Sequence, residues 1–439
     1  MNEPNYLGKA IHYWNPAWAP NDFFLESGDA HWTFYVTFGW LSLWIAEAPL
    51  TWIGRVLTWG LLAWAWQRLS FAVVPRRWVA VLSAALFVFL MQHGNMAGEW
   101  VIGGMEAKGF AYVLVLLGLS ALVAGRWNRV WLLLGAAGAF HAIVGGWAAV
   151  AAGMVWAYEK AVAGATGAAT TRAMQGATGL PVRAPAGSSS SAAPSPPGHH
   201  AQHGRLPRGE RGEGAPSLRK MWPGLVGGLL LALPGVVPAL AVNWGVDRAV
   251  VRQADQIYVY QRLYHHLDPW RFPIDFVITF AILCEVWWLL ARSIARADAA
   301  NTPPEPGDVW QTTPHSGPLP QGEREREARR RLRSFVWASL IIALAGWAAS
   351  LIKFYDLGLA AGILKYYWFR LSDVAVPLGL AILGSRWLLR KAKNGSAAGR
   401  WWFRAAIVLA AWHATDCVVM RLFAPPPYAD RLPNLAAWQ

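Results

Sequence analysis

The sequence contains little cysteine, little charge and few acidic residues. Only two cysteines, Cys284 and Cys417, occur in 439 residues, and both lie in apolar stretches. They predict neither a disulfide framework nor a zinc site. Charged residues make up 15% of the chain, whereas soluble domains average about 25%. This composition argues against a soluble globular protein.

Long apolar segments account for most of what is present, since 55% of the residues are hydrophobic and 29 are tryptophan. Segments of about 16–23 residues are long enough to cross a bilayer at about 1.5 Å per residue. Such segments fall at 51–73, 77–93, 105–124, 129–158, 222–242, 273–293, 335–352, 373–390 and 401–421. The fourth suits two short spans that meet at "FHAIVGG". The sequence therefore predicts an all-α polytopic transmembrane helical bundle of about ten spans.

The net charge of +14 comes from basic clusters that lie between the apolar segments. Clusters in this position are typical of cytoplasmic loops and not of nucleic-acid binding, so the expected partner is the bilayer and no nucleic acid is expected. Alternation along the chain then places the N-terminus and 94–104, 243–272, 353–371 and 422–439 on the extracytoplasmic side.

The same pattern predicts seven regions. Residues 1–50 form an extracytoplasmic first loop with an interfacial helix, and 51–160, 221–293 and 335–421 form the transmembrane groups. Residues 161–220 and 294–334 are rich in Pro, Gly, Ser and charge, which predicts disordered cytoplasmic linkers. Residues 422–439 form an extracytoplasmic tail.

Ionisable residues near the predicted extracytoplasmic face are the candidates for function, because such groups at membrane depth need a cavity or a partner. Glu106 and Lys108 open one apolar segment, and they also fit an interfacial ion pair. His141 lies between two half-spans, where a histidine bonded to the backbone is the alternative. The remaining candidates are Arg262, His265, His266 and Asp268 around "YHHLDP", and Arg370 and Asp373 in "FRLSD". A solvated loop is the alternative for "YHHLDP", and adjacent histidines favour hydrogen bonds to phosphate or sugar over one shared metal.

The opening "NEPNYLGKAIHYW" resembles the first extracytoplasmic loop of GT-C glycosyltransferases, which are polytopic enzymes that use polyprenyl-phosphate sugars. The resemblance implies that Glu3 is the catalytic acid–base residue and that Tyr6 is the tyrosine that follows it. Asp22 matches a second acidic position, as a partner of Glu3 or as a metal ligand. A divalent metal is a candidate cofactor on the same grounds.

More closely, the chain resembles an uncharacterised family of bacterial polytopic membrane proteins that are themselves GT-C-like. The shared patterns are "NEPNYLGKAIHYWNPAWAPNDFFLESGDAH", "GGMEAKGFAYVL", "GAFHAIVGGW", "YHHLDP" and "FRLSDVAVPLG". The resemblance implies the bacterial cytoplasmic (inner) membrane as the location. Relatives have a span before the "NE" motif and a soluble domain at the end, so the comparison predicts a chain that is short at both ends.

Transfer of a sugar from a lipid phosphate needs a carboxylate that deprotonates the acceptor and cations that stabilise the leaving phosphate. Arg262, His265, His266 and Arg370 are the predicted phosphate-binding residues. Two other functions stay open. One is a membrane transporter with His141, Glu106 and Lys108 as a relay, and the other is a truncated, non-catalytic relative.

Overall fold

The computed structural model describes residues 3–177, 216–300 and 320–423, and these residues are helical without a strand. The α-helices are α1 Glu3–Trp14, α2 Trp32–Phe38, α3 Glu47–Val73, α4 Arg77–His93, α5 Ala107–Val123, α6 Trp127–Phe140, α7 Ala142–Ala177, α8 Leu218–Ala241, α9 Arg248–Ile257, α10 Tyr264–Leu267, α11 Ile274–Ala300, α12 Gln321–Ser350, α13 Leu357–Leu364, α14 Arg370–Lys393 and α15 Ala397–Phe423. Short 3₁₀ segments at Gly39–Leu43, Pro269–Arg271 and Leu351–Phe354, and a π-helical turn at Tyr258–Arg262, connect them. The predicted all-α fold is confirmed.

The predicted apolar segments coincide with α3 to α8, α11, α12, α14 and α15. The break predicted at "FHAIVGG" falls at His141, whose backbone is extended (φ −150°, ψ 98°) between α6 and α7. Gly145 lies in the first turn of α7, so close to Gly138 that a Cβ would clash with the backbone there. The chain therefore reverses through a tight contact between the two helices.

The prediction of about ten spans is not confirmed by helix length. Among the described residues, five helices are long and apolar enough to cross a membrane, or up to six if the pair α3–α4, bent by 118°, is one span. The five are α7, α8, α11, α12 with the 3₁₀ turn after it, and α14. With 17 and 14 residues, α5 and α6 reach only about 25 and 21 Å, less than the roughly 30 Å of a bilayer core.

Helices continue into both segments that the sequence predicts to be linkers. Helix α7 continues to Ala177, α8 begins at Leu218, α11 continues to Ala300, and α12 begins at Gln321. In α12 the run "EREREARRRLRS" is helical because acidic and basic side chains three and four positions apart pair along one face, as Glu327 does with Arg330 and Arg331. Residues 178–215, 301–319 and 424–439 lie outside the described residues.

Basic segments from distant parts of the chain meet at one end of the helices, called the basic end below. Buried Glu159 of α7 pairs with Arg330 and Arg331 of α12, each at 2.9 Å. The guanidinium of Arg331 also donates to the carbonyl of Val123 at the end of α5 (3.4 Å). In addition, Arg386 of α14 pairs with Glu325 of α12 at 2.9 Å. These contacts bring parts of α5, α7, α12 and α14 together at the basic end.

Glycine allows α6 and α8 to pack backbone against backbone. A Cβ at Gly135 would overlap the carbonyl group of Gly228, and a Cβ at Gly228 would overlap the carbonyl of Trp131. Small residues at such contacts let helix axes approach closely, which is how helices associate in membranes. This contact fixes α8 beside the break at His141.

Candidate functional site

A cavity of about 580 Å³ lies at the end of the molecule opposite the basic end, and it is called the polar cavity below. It is bounded by α1, the turn before α5, the α6–α7 break, the segment after α9 and the start of α14. Its lining residues are Asn5, Tyr6, Ala30, His31, Gly98, Glu99, Trp100, Lys108, His141, Ala142, Ile143, Ala239, Tyr258, Arg262, Leu263, His265, His266, Tyr367 and Arg370. The structure thereby brings together segments that are far apart in the chain.

The turn between α4 and α5 forms one wall and is held by Asp373. This carboxylate, fully buried in the first turn of α14, accepts backbone N–H bonds from Met96 (2.9 Å), Ala97 (2.8 Å) and Glu99 (3.4 Å). Gly98 has φ +70°, and a Cβ there would lie 2.7 Å from Cε1 of His266. Glycine is therefore required at 98 for both conformation and space. Asp373 positions the wall without lining the cavity.

Glu99 is the acidic residue of the lining, and its carboxylate is fully engaged. Arg370 approaches it with Nε 2.7 Å from Oε2, Lys108 with Nζ 3.5 Å from Oε1, and Tyr112 donates its hydroxyl at 3.0 Å. The Lys108 ammonium also lies 3.2 Å from the centroid of the Trp100 ring. Glu99 therefore holds two cations at the wall and is a poor candidate for a catalytic base.

Arg370 connects the acidic wall to the helix break and to a pair of tyrosines. Its Nη1 lies 3.4 Å from Nε2 of His141, and since a guanidinium only donates, the Nε2 atom of His141 accepts. Its Cζ lies 3.9 Å from the ring centroid of Tyr367, whose hydroxyl is 2.8 Å from that of Tyr258. Tyr367 has φ +55°, a conformation that costs a non-glycine residue roughly 1–2 kcal/mol. The surrounding contacts hold it in place.

Two histidine rings lie against each other, tilted by 42°, at the floor of the cavity. The rings of His31 and His141 have centroids 4.9 Å apart, and Tyr6 lies 4.9 Å from His31 on the other side. The Nδ1–H of His31 donates to the Phe140 carbonyl at 3.3 Å, which leaves Nε2 as an acceptor. Burial lowers the pKa of His31 to about 4. Its imidazole is therefore neutral at pH 7.

The predicted "YHHLDP" loop contributes the other rim. His266 donates from Nδ1 to the Ala97 carbonyl, and burial lowers its pKa. His265 and Arg262 are exposed and line the cavity, with Arg262 at the end of the π-helical turn. Among the described residues Arg262 forms no ion pair. The lining therefore carries the cations Lys108, Arg262 and Arg370 against the carboxylate Glu99, and this excess of positive charge favours an anion.

Besides Asp373, four of the predicted site residues do not line the cavity and are held in contacts of their own. Glu3 is 4% exposed, pairs with Arg55 through both oxygens and accepts the backbone N–H of Met105 at 2.6 Å. Asp22 is exposed and accepts the N–H groups of Phe24 and Leu25 in its own turn, both at 2.9 Å.

The other two are buried. Asp268 pairs with Lys353 at 3.0 Å, and Glu106 accepts from the Trp100 indole at 3.4 Å. The catalytic roles of Glu3 and Asp22 stay predictions, and their contacts favour structural roles.

Sequence reasoning did not select Glu99, Trp100, Tyr258, Tyr367 or His31 for the site. Glu99 and Trp100 lie beside the "GGMEAKGFAY" pattern, and their distance from Lys108 in sequence hides the contact that the fold makes. For the predicted divalent metal, the described residues contain no group of three or more His, Cys, Asp or Glu side chains placed to hold an ion. Cys284 is a free cysteine, and the side chain of Cys417 lies outside the described part.

Searches against protein-family models, curated proteins and solved structures found no match to this chain.

Proposed function

We propose that the protein transfers a sugar from a polyprenyl-phosphate donor, and that the polar cavity binds the donor phosphate on the extracytoplasmic face of a bacterial inner membrane. The excess of lining cations over carboxylates carries this proposal, because a phosphate leaving group needs positive charge in a site shielded from water. Guanidinium groups suit phosphate oxygens, and Arg262 is a guanidinium without an ion pair in the described residues.

The position of the cavity also suits a lipid ligand. Ala239 of α8 lines it, and α8 exposes apolar side chains along its length, such as Leu229 (66%), Leu230 (59%) and Leu240 (54%). A helix with this surface belongs against lipid. A polyprenyl chain that runs along α8 would bring its phosphate to the rim at Arg262. Tyr6, Trp100 and Tyr258 offer aromatic faces on which a sugar ring can stack.

The proton acceptor for the reaction is one of the cavity histidines, or it is Glu3 if this carboxylate separates from Arg55. His31 and His266 both donate from Nδ1 to backbone carbonyls, so their Nε2 atoms accept. His141 accepts at Nε2 from Arg370. The proposal therefore assigns phosphate binding to Arg262 and Arg370 and leaves the acid–base role to the histidines lining the cavity or to Glu3.

Binding of a short-chain polyprenyl phosphate to the purified protein tests the proposal. Arg262→Gln should weaken binding about 10- to 100-fold, the equivalent of one charge-assisted hydrogen bond worth roughly 1.5–3 kcal/mol. Arg248→Gln removes the same charge from exposed α9, outside the cavity lining, and should leave the affinity unchanged. Wild-type protein that binds no polyprenyl phosphate, or equal losses in the two variants, would contradict the proposal. Release of polyprenyl phosphate from labelled donors then measures transfer itself.

A transporter is the second candidate, and the α6–α7 break favours it. Discontinuous helices with polar groups at the break often mark substrate sites in transporters, and here His141 at the break meets Arg370 and His31. Counterflow of a labelled solute in proteoliposomes separates the two functions. Counterflow without release of polyprenyl phosphate would favour the transporter.

A further inference from the structure

A second cavity, of about 600 Å³, lies at the basic end of the same helices and is called the arginine cavity below. It is formed by the last turns of α3, the start of α4, the end of α5 and the start of α6. Lys108 lines the polar cavity and Ala124 lines the arginine cavity, so the two sites lie about 24 Å apart along α5. The second cavity is a separate site.

Four arginines line the arginine cavity: Arg68, Arg77, Arg126 and Arg129. Among the described residues, no acidic one is part of its lining. All four are exposed, and in the described residues none of them forms an ion pair. By contrast, Arg329, Arg330, Arg331 and Arg386 at the same end are all paired with carboxylates. A concentration of unpaired guanidinium groups in one concave site is a site for an anion.

Apart from Gln67 and Ser120 the remaining lining is apolar, and it continues into exposed apolar side chains of α3. Phe71 and Trp64 of α3 are each 44% exposed, and Leu117 and Leu133 complete the wall between α5 and α6. Arg68 lies over the Trp64 ring with its Cζ 5.7 Å from the centroid. An anionic site joined to an exposed apolar groove matches an amphiphile, whose head group meets the arginines while its tails lie along the groove. Basic pockets between membrane helices bind anionic head groups in this way.

We propose that the arginine cavity binds the phosphodiester head group of an anionic phospholipid from the leaflet at the basic end. Arginines on a membrane protein commonly lie near lipid phosphates, but they are then spread around the protein and not gathered in one cavity. Here four arginines from three helices and a connecting turn converge on one cavity, which Ser120 also lines. The site is therefore selective for a head group with net negative charge.

Titration of full-length protein in detergent with phosphatidylglycerol and with phosphatidylcholine, followed by native mass spectrometry, tests the proposal. Phosphatidylglycerol should bind more tightly. Arg126→Gln combined with Arg129→Gln should weaken its binding about 10- to 30-fold, since each basic residue near a lipid surface contributes roughly 1 kcal/mol. The matched control combines Arg400→Gln with Arg404→Gln, which removes two exposed charges of α15 at the same end, outside this cavity.

The control should keep wild-type affinity. Arg126→Lys combined with Arg129→Lys keeps the charge and should lose less affinity than the glutamine pair, which separates lost binding from lost folding. Equal affinity for the two lipids, or equal losses in both glutamine pairs, would overturn the proposal. So would binding of inorganic phosphate that depends on Arg126 and Arg129 when phosphatidylglycerol does not bind, because the site would then take a free anion.

Discussion

Glu3 shows at the scale of one residue how a motif and its surroundings point to different roles. The resemblance to GT-C enzymes implies a catalytic carboxylate, whereas the fold buries this side chain against Arg55 and the Met105 N–H. Glu3→Gln removes the charge and leaves the partly buried Arg55 without its counter-ion. We expect a loss of about 1.5–3 kcal/mol in unfolding free energy, the range for hydrogen bonds to charged groups. Denaturant titration in detergent measures it.

Asp275→Asn is the control for this prediction, since Asp275 is an exposed acid in the first turn of α11. Its effect should stay within about 0.5 kcal/mol. The double variant Glu3→Met with Arg55→Met should recover part of the stability, because both charges are then absent. A Glu3→Gln protein as stable as wild type but unable to transfer sugar would instead establish Glu3 as the catalytic base.

At the scale of helices, the positions of the long helices could be predicted from the apolar segments. The reason is that a backbone in lipid must satisfy its hydrogen bonds within a helix. The break at His141 was also predictable, since about 30 apolar residues exceed one span. The extension of α12 back to Gln321 was not, because it depends on pairs between Glu and Arg and on the partner Glu159 in another helix. A hydropathy pattern does not show such ion pairs, so it could not predict the extension.

The glycine contact between α6 and α8 gives the prediction at this scale. Gly228→Val places a side chain against the carbonyl of Trp131, so the helices must separate. Overpacking of this kind costs about 1–3 kcal/mol. Because α8 carries Ala239 of the cavity lining, ligand affinity should fall as well. Thermal unfolding in detergent and binding of polyprenyl phosphate measure the two effects.

Gly146→Val is the matched control, since a Cβ at Gly146 in α7 would meet nothing within 4 Å. It makes the same substitution in an apolar helix and should leave the melting temperature close to that of wild type. Equal melting temperatures for the two variants would show that α6 and α8 do not pack through glycine.

Across the whole molecule, the sequence predicted which segments carry polar groups but not how those groups pair. The predicted phosphate-binding residues Arg262, His265, His266 and Arg370 do line one cavity, together with Tyr6, Lys108 and His141. The sequence could not show that Asp373 ties down the 96–99 turn or that Glu99 neutralises part of the charge. Both depend on contacts across more than 250 residues of chain.

The orientation in the membrane is a property of the whole molecule, and the position of the basic end predicts it. Positive residues concentrate on the cytoplasmic side, so the basic end should face the cytoplasm and the polar cavity should face outward. In a background without Cys284 and Cys417, Phe23→Cys at a site 92% exposed should react with an impermeant maleimide in intact spheroplasts. Ala398→Cys, exposed near the start of α15, should react only after lysis. The reverse pattern would place the polar cavity in the cytoplasm, where a donor presented on the extracytoplasmic face could not reach it.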